Sequence, residues 1–370
     1  MSCDYTTLAA PGVQGLQPYQ PGKPIEEVAR ELGLDPSGIV KLASNENPLG
    51  PSRKALAAME AALPELCRYP DGNGFHLKHK LAERFSVGTD QITLGNGSND
   101  VLELIARAFA DRDSEIVYSQ HAFAVYPLVT QAIGARHVQV PARDWGHDLP
   151  AMADAVTDRT RIIFVANPNN PTGTVVGQSA IRAFLERVPE SVIVVLDEAY
   201  CEYMEGEDAA DGLALLGQFP NLIVSRTFSK AWGLASLRVG YGIANAQITN
   251  VINRVRQPFN VDSLAQAAAT AVLDDREYLA ESRRINSAGL RQLTEGFTAL
   301  GLTVIPSAAN FVAVDVGRDA GPVYEGLLRH GVIVRPIAGY GMPRHLRVSV
   351  GLESENRQCL EAMAAVLAEQ

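Results

Sequence analysis

Between about Gln91 and Ala244, apolar runs of strand length alternate with stretches whose apolar residues recur every three or four positions. That alternation predicts a mainly parallel sheet covered by helices. The strands are expected at Gln91–Leu94, Glu115–Tyr118, Arg161–Ala166, Val192–Leu196, Leu222–Ser225 and Val239–Ala244. Val192–Leu196 is continuously apolar between polar flanks, as a strand buried on both faces should be, and is expected at the centre. After Gly97-Ser-Asn99, the apolar residues Val101, Leu104, Ile105 and Ala108 form one stripe of an amphipathic helix, so the preceding glycine-containing loop sits at a helix N-terminus. Beyond about residue 260 the pattern shifts to long helices (Ala265–Leu273, Arg276–Leu300). Strands near Asn310–Val314, Val332–Arg335 and Leu346–Val350 follow, then a closing helix from Glu353. The expected fold class is α/β, with a three-layer large domain on a mainly parallel mixed sheet and a smaller α+β domain. The expected boundaries are an N-terminal arm over 1–45 associated with the small domain, a large domain over 46–262 and a small domain over 263–370. The arm is proline-rich (Gln17-Pro-Tyr-Gln-Pro-Gly-Lys-Pro24) with one short helix at Ile25–Leu32.

Composition narrows the function classes. The chain has 370 residues, 46% of them hydrophobic and 20% charged, which suits two compact domains and excludes disorder. Acidic residues outnumber basic ones by 42 − 32 = 10, which argues against a nucleic-acid partner, since phosphate binding needs clustered cations. No apolar run approaches the roughly 18 residues of a membrane span, and no signal-peptide pattern opens the chain. A cytoplasmic protein with no membrane partner is expected. Cys3, Cys67, Cys201 and Cys359 lie far apart, without metal-ligand spacing, and are expected as free buried thiols with no metal.

Three stretches each follow an expected strand: Asn167-Pro-Asn-Asn-Pro-Thr-Gly173, Asp197-Glu-Ala-Tyr200 and Ser225-Arg-Thr-Phe-Ser-Lys-Ala-Trp-Gly-Leu-Ala-Ser-Leu-Arg238. They should converge on one sheet edge, where open α/β proteins hold ligands. Lys230 taken alone is a surface charge more often than a nucleophile. Covalent chemistry would need it desolvated, with hydroxyls and a second cation nearby, which Thr227, Ser229 and Arg238 can supply. A carboxylate at the end of a central strand, Asp197, is either a helix cap or the counter-ion of a buried cation. Tyr200 is either half-buried packing or a hydroxyl donor, and Asn170 either opens a turn or donates its amide. Gly95-Asn-Gly-Ser-Asn-Asp100 can cradle a phosphate at a helix N-terminus, yet it is neither a dinucleotide fingerprint nor a P-loop.

Taken together, Asn170, Asp197, Tyr200, Lys230 and Arg238 resemble, in order and spacing, the fold type I pyridoxal-phosphate enzymes of the class I/II aminotransferase family, and the likeness spans nearly the whole chain. Within that family it is nearest to the members acting on histidinol phosphate. The supporting stretches are Pro18-Tyr-Gln-Pro-Gly-Lys-Pro24, Leu42-Ala-Ser-Asn-Glu-Asn-Pro48, Arg68-Tyr-Pro-Asp71, Arg226–Trp232, Ser307–Val312 and Leu346–Gly351. The resemblance implies pyridoxal 5′-phosphate as cofactor, with Lys230 bonded to it covalently. It implies Asp197 on the pyridine nitrogen, Asn170 and Tyr200 on the ring oxygen, and Phe123 stacked on the ring. Ser98, Asn99, Thr227, Ser229 and Arg238 would hold the cofactor phosphate, together with Tyr69 reaching across a homodimer whose active sites are shared. Arg347 would take an α-carboxylate, while Arg335, Tyr19 and Asn47 would contact the rest of the substrate. Phe123 where tyrosine also occurs, and Ser236 where glycine is frequent, are departures that remove no functional group.

The implied activity is ping-pong transamination between histidinol phosphate, as small-molecule amino donor, and 2-oxoglutarate as the 2-oxo acid acceptor, in histidine biosynthesis. Histidinol phosphate has no carboxylate, so Arg347 would serve glutamate and Arg335 either distal anion. The rivals are an aromatic amino acid aminotransferase, a threonine-phosphate-type decarboxylase, and a cofactor-binding transcriptional sensor. The last should carry a basic helix-turn-helix that this N-terminus lacks.

Overall fold

In the computed structural model, residues 3–18, 22–206 and 209–369 are described. Seven strands form the main sheet: β1 (Ile92–Gly95), β2 (Glu115–Ser119), β3 (Arg136–Val140), β4 (Thr160–Ala166), β5 (Ile193–Asp197), β6 (Leu222–Thr227) and β7 (Gly240–Ala244), in the spatial order β1-β7-β6-β5-β4-β2-β3. Strand β7 runs antiparallel to both neighbours, and every other pairing is parallel. Strand β5 is central and wholly buried, because both of its faces are covered by helices. One face packs under the helices Ser98–Phe109 and Val125–Ala132, the other under Leu149–Asp154 and Gln178–Arg187. A third apolar cluster joins β1 and β7 to the helices Arg53–Ala62, Phe75–Phe85 and Ser263–Val272.

Strand β3 was not expected. It is the sheet's edge, and its sequence Arg-His-Val-Gln-Val leaves three of five residues exposed, so no apolar run announces it. A second sheet is antiparallel and contains β8 (Thr303–Ile305), β9 (Phe311–Asp315), β10 (Arg335–Pro336) and β11 (His345–Ser349), in the order β10-β11-β9-β8. The stretch expected as one strand over 332–335 is divided. Val332–Ile333 pairs in parallel with Val40–Lys41, whereas β10 pairs with β11. The long helix Arg276–Ala299 and the closing helix Glu353–Glu369 cover this sheet with Val312, Val314, Leu346 and Val348 beneath them.

The four cysteines are free, but they are not all buried. Cys3 and Cys67 are exposed, one in the N-terminal segment and the other in the turn after Arg53–Ala62, where no core reaches them. Among the described residues no helix is long and apolar enough to cross a membrane, and no cluster of His, Cys, Asp and Glu could hold a metal.

Candidate active site

The carboxyl ends of the parallel strands open into a cavity of about 670 Å³ between the two sheets. Such edges collect side chains from successive loops because each strand delivers its following residue to the same side. Asp197, Asn170, Tyr200, Lys230, Thr227, Ser229, Arg238, Ser98, Asn99, Phe123, Arg335 and Arg347 all line it. The loops that follow β1, β2, β4, β5 and β6, together with β10 and β11, thus bring these sequence-selected residues to one place.

Asp197 closes β5 with 4% of its surface exposed. Its Oδ2 accepts from the hydroxyl of Tyr126 at 2.9 Å, while Oδ1, equally buried, has no hydrogen-bond partner among the described residues. Burial pushes the carboxyl up to about 6, against the lowering effect of the Tyr126 bond. An unpartnered carboxylate oxygen in such a place suits a cationic ligand atom. Lys230 Nζ lies 5.6 Å from the centre of the Tyr200 ring and 3.5 Å from the Ser44 carbonyl. Desolvation first, and then the charge of Arg347, bring its amine down to about 8. An amine so perturbed is within reach of its neutral, nucleophilic form at physiological pH.

Hydroxyls and an arginine gather at the other end. Thr227 Oγ1 donates to Ser229 Oγ at 3.0 Å, and Arg238 Nη1 reaches Ser229 Oγ at 3.3 Å. The helix Ser98–Phe109 begins beside them, so its first backbone amides, which lack intrahelical partners, add positive potential. Gly97 permits the approach. Its φ is +80°, and a Cβ there would stand 2.6 Å from Arg238 Nη2. An arginine, hydroxyls and a helix N-terminus gathered at one point suit an anionic group such as a phosphate.

Arg335 and Arg347 are directly opposed across the β10–β11 pair. Like charges facing each other on a sheet repel, a cost that an anionic ligand would offset. Arg347 also donates to Asn170 Oδ1 at 2.6 Å and to the Ala43 carbonyl at 2.7 Å, with its guanidinium 5.3 Å from the centre of the Phe311 ring.

Other residues selected from the sequence lie elsewhere. The Asn47 amide donates to the Ala231 carbonyl at 3.0 Å and to Ser282 Oγ at 2.8 Å, and Asn47 does not line the cavity. Tyr69 is exposed outside it, stacked on Phe259 with ring centres 4.8 Å apart. Tyr19 lies outside the described residues. Two polar residues of the site escaped sequence reasoning: Tyr126, and Asn45, whose amide donates to the Tyr200 hydroxyl at 3.0 Å. Asn45 stands in the same Ser-Asn-Glu-Asn run as Asn47, and only packing tells the two asparagines apart.

A mixed sheet that brings a lysine, a buried carboxylate with an unpartnered oxygen and a hydroxyl–arginine cluster to its carboxyl edge suits a ligand carrying both a cationic atom and an anionic group. Comparison with known proteins makes the class explicit. The family described as aminotransferase class I and II matches residues 37–363. A Pseudomonas fluorescens protein named histidinol-phosphate aminotransferase 2 is 64% identical, covering 100% of both chains. A Pseudomonas aeruginosa protein of the same name is 64% identical over 99% of each. The crystal structure of histidinol-phosphate aminotransferase from Sinorhizobium meliloti, in complex with pyridoxal-5′-phosphate, superposes with a TM-score of 0.89 at 30% identity, covering 97% of each chain. The chain belongs to the class I and II aminotransferase family.

Proposed function

We propose that this chain is a pyridoxal-phosphate-dependent aminotransferase that exchanges an amino group between histidinol phosphate and 2-oxoglutarate. One observation carries the reading: a depressed lysine amine and an unpartnered buried carboxylate oxygen line the same cavity as a cluster of hydroxyls with an arginine. The residues present fit that cofactor, because the orphaned Oδ1 of Asp197 suits a protonated pyridine nitrogen and the Arg238 cluster suits a phosphate. The relatives at 64% identity support the substrate.

When bound, the cofactor supplies an electron-withdrawing ring that stabilises negative charge at the substrate Cα. Lys230 would hold it covalently, and its amine, freed once the substrate amine replaces it in that linkage, would carry the proton from the substrate Cα to the cofactor carbon that had borne the linkage. Asp197, ionised above about pH 6, would keep a proton on the ring nitrogen. Asn170 and Tyr200 would donate to the ring oxygen, and Phe123 would cover the ring face. Ser98, Asn99, Thr227, Ser229 and Arg238 would hold the phosphate, completed in a homodimer by Tyr69 of the partner subunit. Arg347 takes the α-carboxylate of glutamate in a bidentate fork, and Arg335 takes the distal anion of either substrate.

The test is a steady-state comparison of histidinol phosphate with phenylalanine, each with 2-oxoglutarate. A kcat/KM at least about 100-fold higher for histidinol phosphate is expected, since the half-buried Arg335 would be left without its phosphate. A higher value for phenylalanine would assign the chain to aromatic amino acids instead, and equal values would refute the stated preference. Release of carbon dioxide without an oxo acid would make it a decarboxylase.

A further inference from the structure

The strand β11 sets the hydrogen-bonding direction of two groups that face the cavity. Residues 347 and 349 project to one face of it. Arg347 occupies Asn170 Oδ1, which leaves the Asn170 NH₂ as the half that can face a ligand. Ser349 does the equivalent for Tyr200, through Asn45. The Asn45 backbone N–H donates to Ser349 Oγ at 2.8 Å, and the Ser349 hydroxyl donates to Asn45 Oδ1 at 2.9 Å. With Oδ1 engaged, Asn45 must turn its NH₂ toward Tyr200, and Nδ2 donates to that hydroxyl oxygen at 3.0 Å. A tyrosine hydroxyl that accepts from one side keeps its single proton for an acceptor on another.

Asn45 is locked in this pose. It is 1% exposed, its carbonyl accepts from Asn310 Nδ2 at 3.0 Å, and its φ of 54° lies in the left-handed region that asparagine tolerates better than most residues. We propose that Asn45 is a positioning residue that keeps the Tyr200 hydroxyl a donor into the cavity, and that Ser349 fixes Asn45 in that role. The inference rests on the cofactor reading above, in which the acceptor is the ring oxygen. The other groups bearing on Tyr200 are Arg347, Asp197 and Tyr340, with the Lys230 amine over its ring and Phe311 edge-on to it. Substitutions at 45 and 349 leave all of these in the chain.

The experiment is a spectrophotometric pH titration of the lysine-bound cofactor in wild type, Asn45→Asp, Asn45→Ala and Ser349→Ala, with cofactor dissociation and melting temperature measured alongside. A carboxylate at 45 would accept the Tyr200 proton and remove the donor from the ring oxygen. The extra negative charge on that oxygen then holds the neighbouring proton of the lysine linkage more tightly, so Asn45→Asp should raise its apparent pKa by about one unit. Asn45→Ala and Ser349→Ala, which only free the hydroxyl to rotate, should raise it by roughly half as much. Titrations all within about 0.2 unit of wild type, or a downward shift in Asn45→Asp, would overturn the proposal. If the variants at 45 do not fold, Ser349→Ala decides it alone. A wild type that binds the cofactor without any lysine-linked absorbance overturns the cofactor reading as well, which distinguishes the two failures.

Discussion

Replacing Asp197 by asparagine should stabilise the cofactor-free protein while disabling the enzyme. The carboxyl is raised by burial from 3.8 to about 6, so in the folded chain its ionised form is penalised. Two units correspond to about 3 kcal/mol at about 1.4 kcal/mol per unit. The sign follows from linkage. The folded state binds its proton more tightly than the unfolded state, so wild-type stability falls as pH rises from about 4 through about 6 and is level above that. Asparagine has no such titration. Its oxygen can still accept from Tyr126, but its NH₂ meets the place where Oδ1 now finds no partner, which returns about 1–3 kcal/mol. The absolute gain at pH 8 is therefore between zero and about 2 kcal/mol, whereas its change with pH carries the full titration. Urea unfolding of both proteins, stripped of cofactor, at intervals from pH 4 to pH 8 measures it. The difference between variant and wild type should grow by about 2.5 kcal/mol across that window, the remainder falling below pH 4. A difference that does not change with pH would refute the claim that this carboxylate is held ionised against its own desolvation.

Three further outcomes follow from the same geometry. Lys230→Ala should abolish turnover while the cofactor still binds, without a covalent link, as mass spectrometry after borohydride reduction will report; residual turnover near the wild-type rate contradicts the role of the amine. Arg238→Gln, which removes the cation beside Ser229, should weaken cofactor binding by roughly 10–100-fold on the scale of a charge-assisted hydrogen bond, measured by equilibrium dialysis. Arg347→Lys loses the bidentate fork and one of the contacts to Asn170 and Ala43, so the KM for glutamate should rise by at least about tenfold, while the KM for histidinol phosphate, which has no carboxylate, moves less.

The parts legible in the sequence share a physical cause. Strands β4 to β7 are buried along nearly all their length and carry apolar runs that announce them without help from partners, and the loops after β4, β5 and β6 deliver Asn170, Tyr200 and Lys230 to the cavity. Strand β3 and strand β8, exposed along much of their length, exist because a neighbour offers backbone partners, which no local pattern encodes. The site divides the same way. Lys230, Asp197 and Arg238 are charges in apolar surroundings and stand out in the chain. Tyr126 reaches Asp197 across 71 positions and Asn45 reaches Tyr200 across 155, so their roles depend on distances that only folding creates. Asn47, close to Asn45 in sequence and identical in type, spends its amide joining Ala231 to Ser282.

Amino transfer from histidinol phosphate can be watched by an absorbance titration of the purified, cofactor-loaded protein with that donor in the absence of any oxo acid. The band of the lysine-bound cofactor should be lost in proportion to the donor added, up to one equivalent per site, and return when 2-oxoglutarate follows. A band that histidinol phosphate leaves unchanged, in a protein that holds its cofactor, would contradict it.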